Sequence, residues 1–147
     1  MSQTTWTGPL ASGDKNAGIA GGPNIGLATL SQSVVIDKSA TLVQSATLYI
    51  PYGSQLVNIY VDVLTGYNSA TSATLSVGTA AGGTTYASGV DVKVEGRTIP
   101  TFTKAQLAAM ANVGNNGNVV ATVTSVGQPT LGQVRVTYQY VQLTAND

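Results

Sequence analysis

From Gly26 onward, apolar and polar residues alternate in short runs that are separated by turn-forming residues. The clearest run is residues 55–64, whose alternate apolar residues fall on one face of an extended chain: Val57, Ile59, Val61 and Val63. A period of two is that of a β-strand buried on one side, and it does not fit the 3.6-residue period of a helix. The alternation therefore predicts an all-β fold with this face in the core.

The same pattern predicts seven or eight strands. They cover residues 26–36, 40–50, 55–64, 73–81, 84–94, 118–126 and 133–143. Gly82 and Gly83 mark a hairpin before the fifth of these strands, and Gly89 is expected to bend that strand. Its inward residues would be Val90, Val92 and Val94. Short antiparallel strands in this number predict a β-sandwich of jelly-roll type.

One short helix is predicted between the strands, over residues 104–111. Thr103 and Gln106 have the spacing of a capping box, in which each side chain bonds the backbone N–H of the other residue. Phe102 and Leu107 have the spacing of the hydrophobic staple that accompanies such a cap. The apolar stripe expected to face the core is Leu107, Met110 and Ala111.

Residues 1–25 differ from the rest because they hold five glycines and two prolines. We interpret them as an extended Gly-rich N-terminal arm, followed by a single sandwich domain of residues 26–147. A disordered tail is the alternative that composition leaves open. Trp6, Leu10 and Ile19 favour an arm that orders on contact with a neighbouring subunit, since a solvated tail has little use for large apolar side chains.

The composition excludes most enzyme chemistry. His and Cys are absent, so an imidazole base, a thiolate nucleophile and a zinc site of the usual ligands are excluded. The six basic and six acidic residues balance, which leaves no basic surface for nucleic acid or a membrane. We also find no apolar run that could span a bilayer and no secretory signal at the N-terminus. We therefore expect no catalytic residue, cofactor or metal, and a cytoplasmic site of synthesis.

Carboxylates are the remaining catalytic material. Asp91 and Glu95 would lie on one strand face at a spacing compatible with an inverting glycosidase. The favoured interpretation is instead that Asp91, Lys93 and Glu95 form a charged edge that prevents pairing with other molecules. Asp62, beside Tyr60, could bind a sugar or calcium, but a polar strand face is more often simply the outside of a sheet.

Seven of the nine aromatic residues are tyrosines. Tyr138 and Tyr140 share a strand face with valines, so they are predicted to lie in the core. The candidates for exposed partner contacts are Tyr49, Tyr60, Tyr67 and Tyr86. Tyrosine suits such contacts because it offers a large apolar area and a hydrogen-bonding tip at low entropy cost.

Four segments carry a resemblance to a known class of proteins. They are residues 7–15 (TGPLASGDK), 46–51 (ATLYIP), 61–63 (VDV) and 77–81 (VGTAA). The sequence resembles the small decoration or cement proteins of tailed-bacteriophage capsids. The resemblance implies a β-rich module, without active-site residues, that binds the outside of the assembled shell as a dimer or trimer and stabilises it.

The resemblance also implies the partners and the location. The partners would be the major capsid protein and neighbouring copies of this chain, with no nucleic acid and no membrane. The location would be the capsid exterior of the virion, after assembly in the cytoplasm of a bacterial host. An extended arm and a weakly charged surface suit this role, because a cement protein commits much of its surface to contacts.

Two other functions stay open at this point. One is a head-fibre base or tail adhesin that binds carbohydrate through Tyr60, Tyr67 and Tyr86. The other is a small carboxylate-dependent glycosidase, for which the sequence offers no group that would tune a carboxylate.

Overall fold

The computed structural model describes residues 11–12, 26–114 and 117–142. The strands are β1 (Ala11–Ser12), β2 (Gly26–Leu27), β3 (Thr29–Asp37), β4 (Val43–Tyr49), β5 (Gln55–Thr65), β6 (Ser72–Gly78), β7 (Ala87–Asp91), β8 (Gly96–Thr98), β9 (Asn118–Val126) and β10 (Gln133–Val141). The helix α1 (Lys104–Met110) lies between β8 and β9.

Strands β3 to β10 form two four-stranded antiparallel sheets. Sheet I has the order β3-β10-β5-β8, and sheet II has the order β4-β9-β6-β7. The first of these eight strands therefore pairs with the last, the second with the seventh, the third with the sixth and the fourth with the fifth. This nested pairing is that of a jelly roll, and it confirms the predicted all-β sandwich.

The core lies between the two sheets and consists of their inward residues. Ile59 and Val61 of β5 are fully buried, and Tyr138 and Tyr140 of β10 are buried beside them, as the alternation predicts. Sheet II contributes mainly Val, Ala and Leu side chains to the same cluster. Valine is the commonest residue of the cluster, because its β-branched side chain packs well on the pleated surface of a sheet.

Val57 is the exception on β5, and its predicted core position is wrong. Gln139 pairs with Asn58, but the next residue, Tyr140, pairs with Leu56, so Val57 is the extra residue of a β-bulge. The bulge turns Leu56 inward, where it is 3% exposed, and leaves Val57 48% exposed.

The predicted strand 84–94 is shorter in the structure and ends at Asp91. Gly89 has φ +69°, which is consistent with the expected bend. Val90 and Val92 are buried, but Val94 lies in the following loop and is 73% exposed, so its predicted inward position is wrong. The chain leaves sheet II there and enters sheet I as β8, which has too few residues to show alternation.

The predicted capping box of α1 is confirmed. Oγ1 of Thr103 accepts from the N–H of Gln106 at 3.2 Å, and Oε1 of Gln106 accepts from the N–H of Thr103 at 2.9 Å. Of the predicted stripe, Met110 is buried as expected, but Leu107 and Ala111 are exposed, so their predicted inward positions are wrong. Gln106 is the other buried residue of the helix. Nε2 of Gln106 donates to the carbonyl oxygen of Thr84 at 3.2 Å, which turns that face of α1 toward the sandwich.

Of the predicted arm, the structure describes Ala11–Ser12, which pairs with Gly26–Leu27. Trp6, Leu10 and Ile19 lie outside the described residues, and their predicted role as partner contacts stays a prediction.

Candidate interaction surface

The loops fall into two groups at opposite ends of the sandwich, because the chain reverses direction at each connection. One group, here named the apolar end, comprises residues 38–42, 66–71, 92–95 and 127–132. The other group, the helix end, comprises α1 and the β4–β5 and β6–β7 connections.

Large apolar side chains are exposed mainly at the apolar end. Of the twelve exposed in the described residues, seven lie in its loops or at the adjoining strand ends: Val35, Leu42, Val43, Leu64, Val94, Val126 and Leu131. Scattered exposed apolar residues are ordinary, whereas a concentration at one end of a domain is typical of a surface that binds another molecule.

Hydrogen bonds between loops fix the backbone that displays Leu131. Oδ1 of Asn68 accepts from the N–H groups of Thr130 at 2.8 Å and Leu131 at 2.9 Å. The N–H of Lys38 donates to the carbonyl oxygen of Gly132 at 2.9 Å. Three of the four loops are thereby joined, so Leu131 is held in place before any partner binds.

The loop that displays Val94 is held in the same way. The N–H of Tyr67 donates to the carbonyl oxygen of Val92 at 3.0 Å, and Nζ of Lys93 donates to the carbonyl oxygen of Thr71 at 3.3 Å. Gly66 packs against the carbonyl of Lys93, where a Cβ atom would collide with the backbone. A fixed loop loses little conformational entropy when it binds.

Tyr67 lies beneath the apolar end and is buried, so its predicted exposure is wrong. Its hydroxyl lies 3.2 Å from two acceptors, the carbonyl oxygen of Ile36 in β3 and Oε1 of Gln44 in β4. Burial, with a contribution from the charge of Asp37, raises the pKa of Tyr67 to about 12. The side chain therefore joins the edge strands of the two sheets as a neutral phenol.

The other tyrosines proposed as contacts are not brought together. Tyr86 is 2% exposed, which corrects its predicted exposure, and burial raises its pKa. Tyr49 is exposed at the end of β4 in sheet II, whereas Tyr60 is half-buried on β5 in sheet I. Tyr67 follows the turn residue Gly66, and no alternation there predicts its burial. Tyr86, in contrast, has the same parity as Val90 and Val92 in the predicted strand 84–94, and this was the signal for its burial.

Asp62 is the centre of a charged cluster on the outer face of sheet I. Nε of Arg97 lies 2.6 Å from its Oδ1, and a second Arg97 nitrogen donates to Oδ2 at 3.1 Å. Arg135 also donates to Oδ2, at 3.2 Å. Hydrogen bonding from Arg97 is the main cause that holds the pKa of Asp62 below its usual value. Both carboxylate oxygens are therefore occupied, and Asp62 pins β8 and β10 to β5.

The two carboxylates considered for catalysis do not share a strand. Asp91 ends β7 in sheet II, and its Oδ1 accepts from the N–H of Lys93 at 2.9 Å. Glu95 lies in the loop before β8 and is exposed. The predicted row of both residues on one strand face is therefore wrong.

Within the described ranges, no group of three or more carboxylate, His or Cys side chains is placed to hold a metal ion. None of the helices described is long and apolar enough to cross a membrane.

The apolar end is the feature that the sequence analysis missed. Its signal was present as Val94, which stands between Lys93 and Glu95, and as Leu131, which precedes Gly132. A residue of this kind in a loop has no core to enter, so it is a candidate for contact with another molecule.

The comparison with solved structures found a full-length likeness. A chain in the structure described as "Cyanophage Pam1 capsid asymmetric unit" has 17% sequence identity to this chain and a TM-score of 0.53. The alignment covers 97% of this chain and 92% of that chain. At this identity, the likeness shows a shared fold. No protein-family model matches the sequence, and no curated protein matches it.

Proposed function

We propose that this chain is a structural protein of a tailed-bacteriophage head, namely a decoration or cement protein that binds the outer surface of the assembled shell. The observation that carries the proposal is the likeness, over 97% of this chain, to a chain from a phage capsid asymmetric unit. Since the alignment also covers 92% of that chain, the neighbour is itself a small chain of this fold. Jelly rolls are common in viral capsid proteins.

The apolar end is the proposed attachment surface. Its four loops carry three charged residues, Lys38, Lys93 and Glu95, so few charges lose their hydration on contact. Its exposed leucines and valines supply the hydrophobic contribution to binding, and the hydrogen bonds between its loops limit the entropy cost. These properties suit a surface that is covered in the assembly.

The role would be structural rather than enzymatic. Asp62 is engaged by two arginines, and Asp91 and Glu95 are on different elements, so neither arrangement supports the glycosidase alternative. The partners would be the major capsid protein and neighbouring copies of this chain. Many copies on one lattice would make individually modest contacts effectively permanent.

The carbohydrate-binding alternative has less support. Of its three tyrosines, Tyr67 and Tyr86 are buried. The remaining ring, that of Tyr60, lies 5.5 Å from the guanidinium carbon of Arg97, and its hydroxyl donates to Gln139 at 3.2 Å. A sugar platform needs an open aromatic face, and this set does not provide one.

The test uses phage heads assembled without this protein, to which the purified chain is added back. We expect heads to form without it, to release DNA at a lower temperature than complete heads, and to regain stability on addition. Binding is measured by co-sedimentation. The double variant Val94→Asp, Leu131→Asp should bind at least about tenfold more weakly, because it places charge in the apolar contact.

Leu107→Asp is the matched control, since Leu107 is 52% exposed but lies in α1 at the helix end. It should bind as the parent does. Equal loss in both variants would reject the apolar end as the attachment surface. Heads that are equally stable with and without the protein, together with its location in a tail or fibre, would reject the decoration function itself.

A further inference from the structure

Strand β3 has one free edge in the described part of the chain. β10 pairs with β3 along its whole length, from Thr29 to Asp37, and occupies the other edge. β3 is the outermost strand of sheet I, and β4 of sheet II runs nearby without pairing with it. Exposed edges of this kind readily accept an additional strand.

The short β1–β2 pair leads directly to this edge. Ala11 pairs with Leu27 and Ser12 with Gly26, in the antiparallel sense. β2 and β3 are separated by Ala28 alone. A chain that continues from Ala11 toward residue 1 in this register would therefore run alongside β3, and only the free edge is open to it.

The inward side of β3 is incompletely covered where such a strand would lie. Leu30, Gln32 and Val34 face the interior but are only half-buried, whereas Ile36 further along the strand is 4% exposed. Their partners on β10 are buried. The incomplete burial is thus confined to the side of β3 that faces away from β10.

In residues 4–10, the two large apolar residues, Trp6 and Leu10, share one strand parity, and Thr4 and Gly8 occupy the other positions of that parity. Continuing the register places Trp6 opposite Gln32, on the inward side and diagonal to Leu30 and Val34. Leu10 has the same parity as Trp6 and falls on the inward side as well. The polar residues Thr5 and Thr7 fall opposite the exposed Ser33 and Ser31. Pro9 also falls on the outward side, and proline is tolerated on an edge strand.

We propose that residues 4–10 form an additional strand on the free edge of β3 of the same chain, in the register set by β1 and β2, with Trp6 covering Leu30 and Val34. Trp6 and Leu10 would then complete the core rather than contact a neighbouring subunit. The proposal stands independently of the capsid function, because it concerns the edge of the sandwich alone.

A groove beside the free edge of β3 supports the proposal that the N-terminal segment of this chain lies there. A groove of about 370 Å³ lies between the ends of β3 and β4, lined by Val35, Ile36 and the residues of β4 from Val43 to Ala46. The continued register would bring the first residues of the chain to this groove. Its lining mixes apolar side chains with uncharged polar ones, and Asp37 is the single charged residue that lines it.

Trp6 gives a direct readout because it is the single tryptophan of the chain. In the full-length protein we expect blue-shifted emission and several-fold weaker acrylamide quenching than in the denatured chain. The double variant Trp6→Phe, Thr5→Trp moves the indole to the outward side, so its emission should shift to the red and its quenching should rise. Equal quenching of the two indoles would overturn the proposed register.

Engineered cysteine pairs test the register between residues 4–10 and β3, and they test whether the added strand comes from the same chain. The chain has no native Cys that would interfere. Under oxidation, Thr7→Cys with Ser31→Cys and Thr5→Cys with Ser33→Cys should form disulfides within one chain. The crossed pairs, Thr7→Cys with Ser33→Cys and Thr5→Cys with Ser31→Cys, should not, because diagonal positions are too far apart. All four positions are Thr or Ser, so folding is not at risk.

Non-reducing electrophoresis separates the outcomes. Monomers cross-linked in the two direct pairs, with the crossed pairs left reduced, support the proposal. Disulfide-linked dimers would show that the strand comes from a second copy, and they would overturn the same-chain assignment. Failure of every pair to cross-link would overturn strand addition altogether.

Discussion

Gly132 lies so close to the ring of Tyr67 that a Cβ atom added to it would fall 2.6 Å from the ring atoms Cγ and Cδ1. Tyr67 cannot move away, because it is buried and its hydroxyl is held between Ile36 and Gln44. We expect Gly132→Ala to lower the free energy of unfolding by about 3 kcal/mol, from overpacking and from the positive φ of this glycine. Urea denaturation measures the loss.

Gly53→Ala is the control for that substitution. Gly53 has φ +69°, but a Cβ atom there would meet no atom within 4 Å. Only the backbone cost applies, which is about 1 kcal/mol. If both variants lose the same stability, the contact with Tyr67 is not the cause.

Removal of the hydroxyl group should destabilise the protein at Tyr67 but not at Tyr138. Tyr67 has two acceptors within 3.2 Å, so Tyr67→Phe should lower the free energy of unfolding by about 1 kcal/mol. The hydroxyl of Tyr138 is buried without a hydrogen-bond partner among the described residues, so Tyr138→Phe should be neutral or stabilising. Thermal denaturation of both variants measures the difference. If Tyr138→Phe is destabilised as much as Tyr67→Phe, the prediction is wrong.

Stability should fall in alkaline solution. The pKa of Tyr67 is about 12 in the folded protein, above the value near 10 of an unfolded chain, and burial also raises the pKa of Tyr86 and Tyr138. A raised pKa contributes stability that is complete below about pH 10 and is lost as pH rises toward 12. The free energy of unfolding should therefore decline over this range, and Tyr67→Phe should make the decline shallower. An unchanged slope in the variant would exclude Tyr67 as a cause.

The loss of folding stability at acid pH should depend on Asp62. Its pKa is lowered chiefly by the hydrogen bond from Arg97, so its contribution is present above about pH 4, the unfolded value, and is lost as pH falls through the folded value. Asp62→Asn should cost about 1 kcal/mol at neutral pH, because solvent screens the arginines, whose side chains are 61% (Arg97) and 43% (Arg135) exposed. It should also flatten the acid limb of the stability curve. If the stability of Asp62→Asn falls with decreasing pH as steeply as that of the parent, other carboxylates are the cause of the acid sensitivity.

Much of the fold could be predicted because strand alternation and turn residues agree along the chain. β9 has the predicted bounds, and β10 ends two residues before its predicted end. The cap of α1 could be predicted as well, since Thr103 and Gln106 bond each other locally and need no tertiary contact. Such features depend on neighbouring residues only.

The features that could not be predicted from the sequence depend on contacts between residues that are distant along the chain. The bulge at Val57 is defined by pairing with β10, and the burial of Tyr67 depends on β3, β4 and Gly132. The Asp62 cluster joins three strands whose neighbourhood follows only from the jelly-roll order. For the same reason the apolar end could not be assembled from the sequence, because its four loops meet only after both sheets form.

The last prediction tests the bulge in β5. Ile59 is fully buried, so Ile59→Asp would place an unpaired carboxylate in the core and should unfold the domain. Val57 has the same strand parity as Ile59, but the bulge turns it outward, and it is 48% exposed. Val57→Asp should therefore cost less than about 1 kcal/mol and leave the circular dichroism spectrum unchanged. A strand of regular alternation would make the two variants equally harmful, so unfolding of Val57→Asp would show that β5 has no bulge at this position.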